Sequence, residues 1–267
     1  MKRKKNYSLI FGCIITGIVL LIAIVGLFWT PYSTTGMDLS LKFAPPSWQH
    51  IFGCDNYGRD IFSRVMQGTS TTFIVSISTV AFGMTVGTIV GFLAGYVGGW
   101  FDEIIMRIND VLNAFPSILL ALVLVSFMGS GLLNIIVALG ILFIPSFARI
   151  ARSEMLRLKG MQFVQSAKLI GDSSGRIIFA QILPNAYTTI LASAAVGFNN
   201  AVLAEASLSY MGLGVQPPNP SLGRMIAEAS NFLANAPWYA IFPGVAIIIL
   251  ALGVALLSDG LSNVDLD

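Results

Sequence analysis

The sequence predicts an all-α integral membrane protein: six transmembrane helices, both termini cytoplasmic, and a short cytoplasmic helix between the fourth and fifth spans. Three observations predict it. Only 10% of the 267 residues are charged and 55% are hydrophobic, where a soluble domain carries roughly a quarter charged. The mean hydropathy of +0.80 is spread along the chain instead of being gathered in one anchor, which excludes an ordinary soluble protein. Lys and Arg, finally, cluster between alternate apolar stretches, the asymmetry that sets membrane orientation. A net charge of +2 gives no field that points to nucleic acid.

Burying a charge in hydrocarbon is costly, so uncharged stretches mark the spans. They run 6–37, 65–101, 111–148, 177–204 and 229–258, and the third is long enough to cross twice about Gly129-Ser130-Gly131. The expected helices are about 7–29, 72–96, 103–127, 132–151, 184–206 and 237–258, each near the ~20 residues that a bilayer core requires. The chain then divides into an anchor helix with an extracytoplasmic segment (1–68), a transmembrane core (69–258) and a cytoplasmic tail (259–267). With the N-terminus inside, ten basic residues are cytoplasmic: Lys2, Arg3, Lys4, Lys5, Arg149, Arg152, Arg157, Lys159, Lys168 and Arg176. Four are outside, Lys42, Arg59, Arg64 and Arg224, with Arg107 near the inner end of the third helix. The apolar run Tyr7–Trp29 exceeds the 7–15 residues of a signal-peptide core and reads as a retained span.

In the second helix Gly83, Gly87, Gly91 and Gly95 continue a row from Thr79 on one face. Glycine rows let helix backbones approach closely in lipid, here against a helix of the same chain or of a second subunit. Cys13 lies in the first span and Cys54 in the outer loop, where a water-soluble thiol reagent is expected to reach it. Asn199, Asn200 and Glu205 near the outer end of the fifth helix are candidates for a pathway or an interface, as polar groups in spans are by default. At the inner end of the third helix, Glu103 with Arg107 and Arg107 with Asp110 are spaced as helical ion pairs beside Asp102, which reads as local neutralisation. His50 is the single histidine and no Cys/His spacing suits a metal. No Gly-x-x-x-x-Gly-Lys phosphate loop, Gly-x-Ser-x-Gly or His-Glu-x-x-His motif occurs.

The cytoplasmic stretch 152–183 contains an amphipathic helix, with Phe163, Ala167 and Ile170 on one face, Gln165, Lys168 and Asp172 on another, and Gly171 as its stop. The run Gln165-Ser166-Ala167-(three residues)-Gly171 and then Ile182-Leu183-Pro184 resembles the Glu-Ala-Ala loop of ABC-importer permeases. His50-Ile51-Phe52-Gly53-Cys54-Asp55-Asn56-Tyr57-Gly58-Arg59-Asp60 is similar to a segment of the peptide and nickel permeases of second-subunit type. So are Ala114-Phe115-Pro116 and the run from Ala204 to Pro218. Gln165 and Ser166 stand where the family usually has Glu and Ala, Cys54 where it has Thr, and Leu222 where Trp is common.

The resemblance implies a permease subunit forming half of a translocation pathway for dipeptides or oligopeptides. A nickel or metal-chelate system is the alternative within the family, and a secondary transporter the alternative outside it. It implies no cofactor in this chain, with ATP and Mg bound by two partner ATP-binding subunits. A homologous permease subunit completing a heterodimer, an extracytoplasmic solute-binding protein and the lipid bilayer are the other implied partners. Gln165, Ser166, Ala167, Lys168 and Gly171 are the implied ATPase-coupling residues.

Overall fold

A computed structural model describes residues 7–262, so the Lys2 to Lys5 cluster and the end of the 259–267 tail lie outside the described residues. The helices are α1 (Tyr7–Phe28), α2 (Ile61–Val97), α3 (Gly99–Ala114), α4 (Ser117–Met128), α5 (Leu132–Lys159), α6 (Gln162–Ile170), α7 (Ser174–Tyr210), α8 (Leu222–Ala229) and α9 (Trp238–Ser262). Five of them, α1, α2, α5, α7 and α9, are long and apolar enough to cross a membrane. Counting α3 with α4 as one bent span would make six.

That bent pair is the main departure from the expected helices. Instead of one rod over 103–127, α3 and α4 meet at 94°. Pro116 has no N–H to continue the helix and disfavours the helical region for the residue before it, and Phe115 is accordingly extended (φ −87°, ψ 141°). The other differences are of length. Asp60 caps α2 by accepting from the Ser63 N–H at 2.7 Å, so the helix begins at Ile61 rather than near 72 and runs 37 residues. The chain is also helical well into the stretch read as a polar connection, to Lys159 in α5 and from Ser174 in α7. Near the start of α7, residues Ile177–Ile182 form a π-helical turn in which the Leu183 N–H bonds back to Ile178 O. Pro184 follows it and cannot donate to the carbonyl one α-turn back, a defect that a π turn absorbs.

The helices alternate between two ends. At one, Ile61 and Val65 of α2 pack with Leu222, Met225 and Ala229 of α8 and Tyr239 of α9; this is the α8 end. At the other, Phe92, Met155 and Leu158 close a core with Val164 and Ala167 of α6 and Ile177 and Ile182 of α7; this is the α6 end. α2 is central and α5 lies along it. Cβ atoms at Gly83 or Gly87 would fall 2.7 Å from the Phe143 and Phe147 Cβ atoms, and at Gly95 2.9 Å from Met155 Cγ. Thus α5 of the same chain, not a second subunit, occupies the face of the glycine row. α1 docks on α9, with Gly12 against the backbone of Leu256 and Leu257.

Candidate functional site

Three groups of residues carry chemistry, and the first is the turn built around α6. At the end of α5, the Lys159 ammonium donates to Tyr96 O at 2.5 Å and lies over the Tyr96 ring, closing the orphan carbonyls of α2. The Tyr96 hydroxyl donates to Ser174 Oγ at 2.8 Å, joining the start of α7 to the same point. α6 ends at Gly171 in the left-handed region (φ +89°), with the Asp172 N–H donating to Ala167 O at 3.0 Å, the hydrogen bond of a Schellman cap. Among the described residues nothing lies within 4 Å of where a Gly171 Cβ would stand. Its requirement is one of backbone conformation, not of space.

The buried face of α6 differs from the expected one. Val164 and Ala167 are buried, whereas Phe163, Leu169 and Ile170 point away from the protein, the last two 89% and 84% exposed. A nine-residue helix wedged against α5 and α7 seats its small pair and leaves the bulkier residues out. Gln165, Ser166 and Lys168 share the exposed side, and the Gln165 amide donates to Lys159 O at 3.2 Å. A carboxylate could not make that bond.

The second group is the polar set inside the helices, and the three residues singled out there separate. Glu205 is fully buried; its oxygens accept from Thr72 Oγ1 at 2.9 Å and Ser209 Oγ at 2.6 Å, so it ties α7 to α2. Asn199 is partly buried, and its Oδ1 lacks a partner among the described residues. Asn200 is exposed and lines a cavity of about 250 Å³ with Asn113, Ser117 and Ser146. The sequence reading missed these last three. The signal for Asn113 and Ser117 was Pro116 between them in an apolar run, and for Ser146 the preceding Pro145.

The third group, also missed as a unit, is an ionic cluster at the α8 end. Glu228 Oε2 accepts from Tyr239 OH at 2.8 Å, Arg64 Nη2 at 3.1 Å and Arg59 Nη2 at 3.2 Å, and Oε1 from Arg224 Nε at 3.3 Å. Asp55 accepts from Arg59 Nε at 2.6 Å. His50 pairs with Asp60 at 2.9 Å, a role in the segment's fold. Among the described residues no group of His, Cys, Asp and Glu could hold a metal. At the α6 end Arg107 pairs with Glu103 at 3.8 Å but not with Asp110, which bonds Arg149 of α5 at 3.0 Å. Arg152 bonds Asp102 at 2.5 and 2.6 Å, so these acids clamp α3 to α5.

Cys54 corrects another expectation. It is fully buried, and burial together with the nearby Asp60, Asp55 and Asp38 charges pushes its thiol up to about 11. The thiolate is the reactive form. A maleimide at pH 7.5 is therefore expected to leave Cys54 unmodified in the folded protein and to modify it on denaturation, as peptide mass mapping would report; rapid native labelling would contradict this packing.

Residues 87–264 match the family described as the binding-protein-dependent transport system inner membrane component. The chain is 40% identical over 260 residues, covering 97% of itself and 86% of the relative, to the dipeptide transport system permease protein DppC of Alkalihalophilus pseudofirmus. It is 43% identical over 251 residues, covering 92% of itself and 83% of the relative, to the glutathione transport system permease protein GsiD of Pectobacterium atrosepticum. Among solved structures, an inward-facing MetNI methionine ABC transporter chain aligns with a TM-score of 0.66 at 19% identity, over 76% of this chain and 97% of that one, a likeness of fold. A multi-pass helical bundle, a turn helix with its apolar side uncovered, and these matches along nearly the whole length agree: the chain belongs to the inner-membrane permease family of binding-protein-dependent ABC importers.

Proposed function

We propose that this subunit forms half of the pathway of a peptide importer, with α6 as the helix through which ATP-binding subunits drive it. Peptide cargo is inferred from relatives named for dipeptide and glutathione transport. Neutral amide and hydroxyl groups in the inner cavity, rather than metal-ligand chemistry, favour that cargo over nickel or a metal chelate. In this reading the bent α3–α4 pair is the third of six spans, α1 anchors a core beginning with α2, and the α6 end with both termini is cytoplasmic. Arg149, Arg152, Arg157, Lys159, Lys168 and Arg176 lie toward that end, as the positive-inside rule asks. Two ATP-binding subunits holding ATP and Mg, a homologous permease partner and a solute-binding protein at the α8 end complete the assembly.

The observation that carries the coupling role is the uncovered Phe163, Leu169 and Ile170 side of α6. Exposed apolar groups on a short polar turn suit a protein groove. A helix lying on the membrane would use the same residues, so the test must read partner binding. The double variant Leu169→Asp, Ile170→Asp alters no buried contact, and burying a leucine side chain contributes about 1.5–3 kcal/mol. Expected is normal insertion, loss of co-purifying ATP-binding subunits and at least a tenfold fall in ATP-driven uptake. Undiminished co-purification and uptake would remove the coupling role.

A further inference from the structure

We propose that the α3–α4 break, facing Ser146 of α5 and Asn200 of α7, is a water-filled subsite of the translocation path that holds the backbone amides of the passing peptide. This rests on the peptide-importer reading and goes beyond it by naming where, and through which chemistry, the cargo is held.

The break comes first in the argument. The last carbonyls of α3 and the first N–H groups of α4 have no intrahelical partners, and no side chain caps the start of α4. Residues 113–119 are all exposed on the chain, with Phe115 at 56% and Ile118 at 47%. Depth makes this costly. Ser146 stands about 21 Å along α5 from Leu132, and Asn200 about 15 Å along α7 from Tyr210, at 1.5 Å per residue. Those two helix ends lie on one side, since Ile135, Leu208 and Val215 pack together. The cavity therefore falls within a hydrocarbon core about 30 Å thick. Irregular backbone at that depth is tolerated only where protein covers it or water reaches it.

Chemistry selects the ligand. Asn113, Ser117, Ser146 and Asn200 are polar and uncharged, and the rest of the lining, Ile118 of α4 included, is apolar. The acids closest along the chain to Asn113 and Asn200 are committed elsewhere: Asp110 to Arg149, and Glu205 to Thr72 and Ser209. A site of donors and acceptors without fixed charge matches the C=O and N–H that every peptide bond presents, whatever its side chains. It gives neither a charged terminus nor a metal ion a counter-charge.

The test uses the assembled transporter in proteoliposomes, with Ser117→Cys in the otherwise natural chain and a cationic methanethiosulfonate reagent. The parent complex, labelled in parallel, gives the background to subtract: Cys54 is buried, and Cys13 faces outward from the apolar α1, into lipid in this reading, where a cationic reagent does not partition. Expected is modification of Ser117→Cys, slowed at least fivefold by a transported dipeptide. Asn113→Ala with Asn200→Ala should raise the KM of uptake at least fivefold while ATP-binding subunits still co-purify. No modification in any nucleotide state would mean that protein or lipid covers the break. Modification without peptide protection, together with an unchanged KM, would leave only a wet crevice. Either result overturns the subsite. Failure of the importer reading is a separate outcome, the absence of ATP-dependent peptide uptake by the parent complex.

Discussion

Replacing Gly91 by leucine is expected to abolish accumulation of the folded subunit. A Cβ at Gly91 would overlap the Ala148 carbonyl oxygen and come within 2.9 Å of Ala151 Cβ, and backbone cannot swing aside as a side chain can. The neighbours in the row are as tight: at Gly87 the obstacles include Ile144 O at 2.7 Å. Relief therefore requires α2 and α5 to separate along several turns, forfeiting the close packing that holds helices together in lipid. Overpacking costs typically 1–3 kcal/mol, and a rigid backbone obstacle puts this variant at or beyond about 3 kcal/mol. Gly17→Leu is the control, because no atom of the described residues lies within 4 Å of that Cβ position on α1. The measurement is the monodisperse yield in detergent of the subunit expressed without partners. Normal yield of Gly91→Leu alone would contradict the packing; loss only in the presence of a partner subunit would return the glycine row to an interface between chains.

The sequence carried the glycine row but not its partner. Period-four glycines identify a face, while the choice of α5 depends on which helix brings Ala148 and Ala151 opposite it. The same limit applies to α6. Gly171 was legible because a glycine closing an amphipathic segment has a local conformational meaning, and its φ of +89° is that meaning. The buried pair Val164 and Ala167 was not, since nine residues offer more than one plausible apolar stripe. The α3–α4 break was present as Pro116 within an apolar run. Apolar character sets where a chain enters lipid, however, and says little about whether it stays straight. Charges were the least legible. Arg107 and Asp110 have helical pairing distance along the sequence, yet Arg149 on another helix takes Asp110. Glu228 gathers groups from residues 59, 64, 224 and 239, a convergence that no spacing along the chain encodes.

That convergence carries the last prediction: Glu228→Ala should destabilise the α8 end far more than the loss of any exposed ion pair. Arg64 is 1% exposed and Arg59 5%, so both guanidiniums draw their compensation from these carboxylates rather than from bulk water. With Glu228 gone, Asp55 is, among the described residues, the remaining carboxylate within ion-pair distance of the two, at 2.6 Å from Arg59 and 3.6 Å from Arg64. Two buried cations would then share one anion. Removing one member of a buried ionic cluster costs about 3–5 kcal/mol, chiefly the penalty of leaving charge unpaired. At ~2–4 °C per kcal/mol for a chain of this size, unfolding in nanodiscs should fall by roughly 10 °C. Glu228→Gln keeps an oxygen for the Tyr239 hydroxyl but turns an amide donor toward guanidinium groups, so it should recover only part of the loss. The comparison is Arg107→Ala, whose pair with Glu103 is 75% and 73% exposed and should shift the transition by less than about 1 kcal/mol. Equal shifts in Glu228→Ala and Arg107→Ala would mean that water reaches Arg59 and Arg64. The segment between α1 and α2 would then be held to the α8 end by apolar packing around Phe43, Phe232 and Leu222 rather than by this cluster.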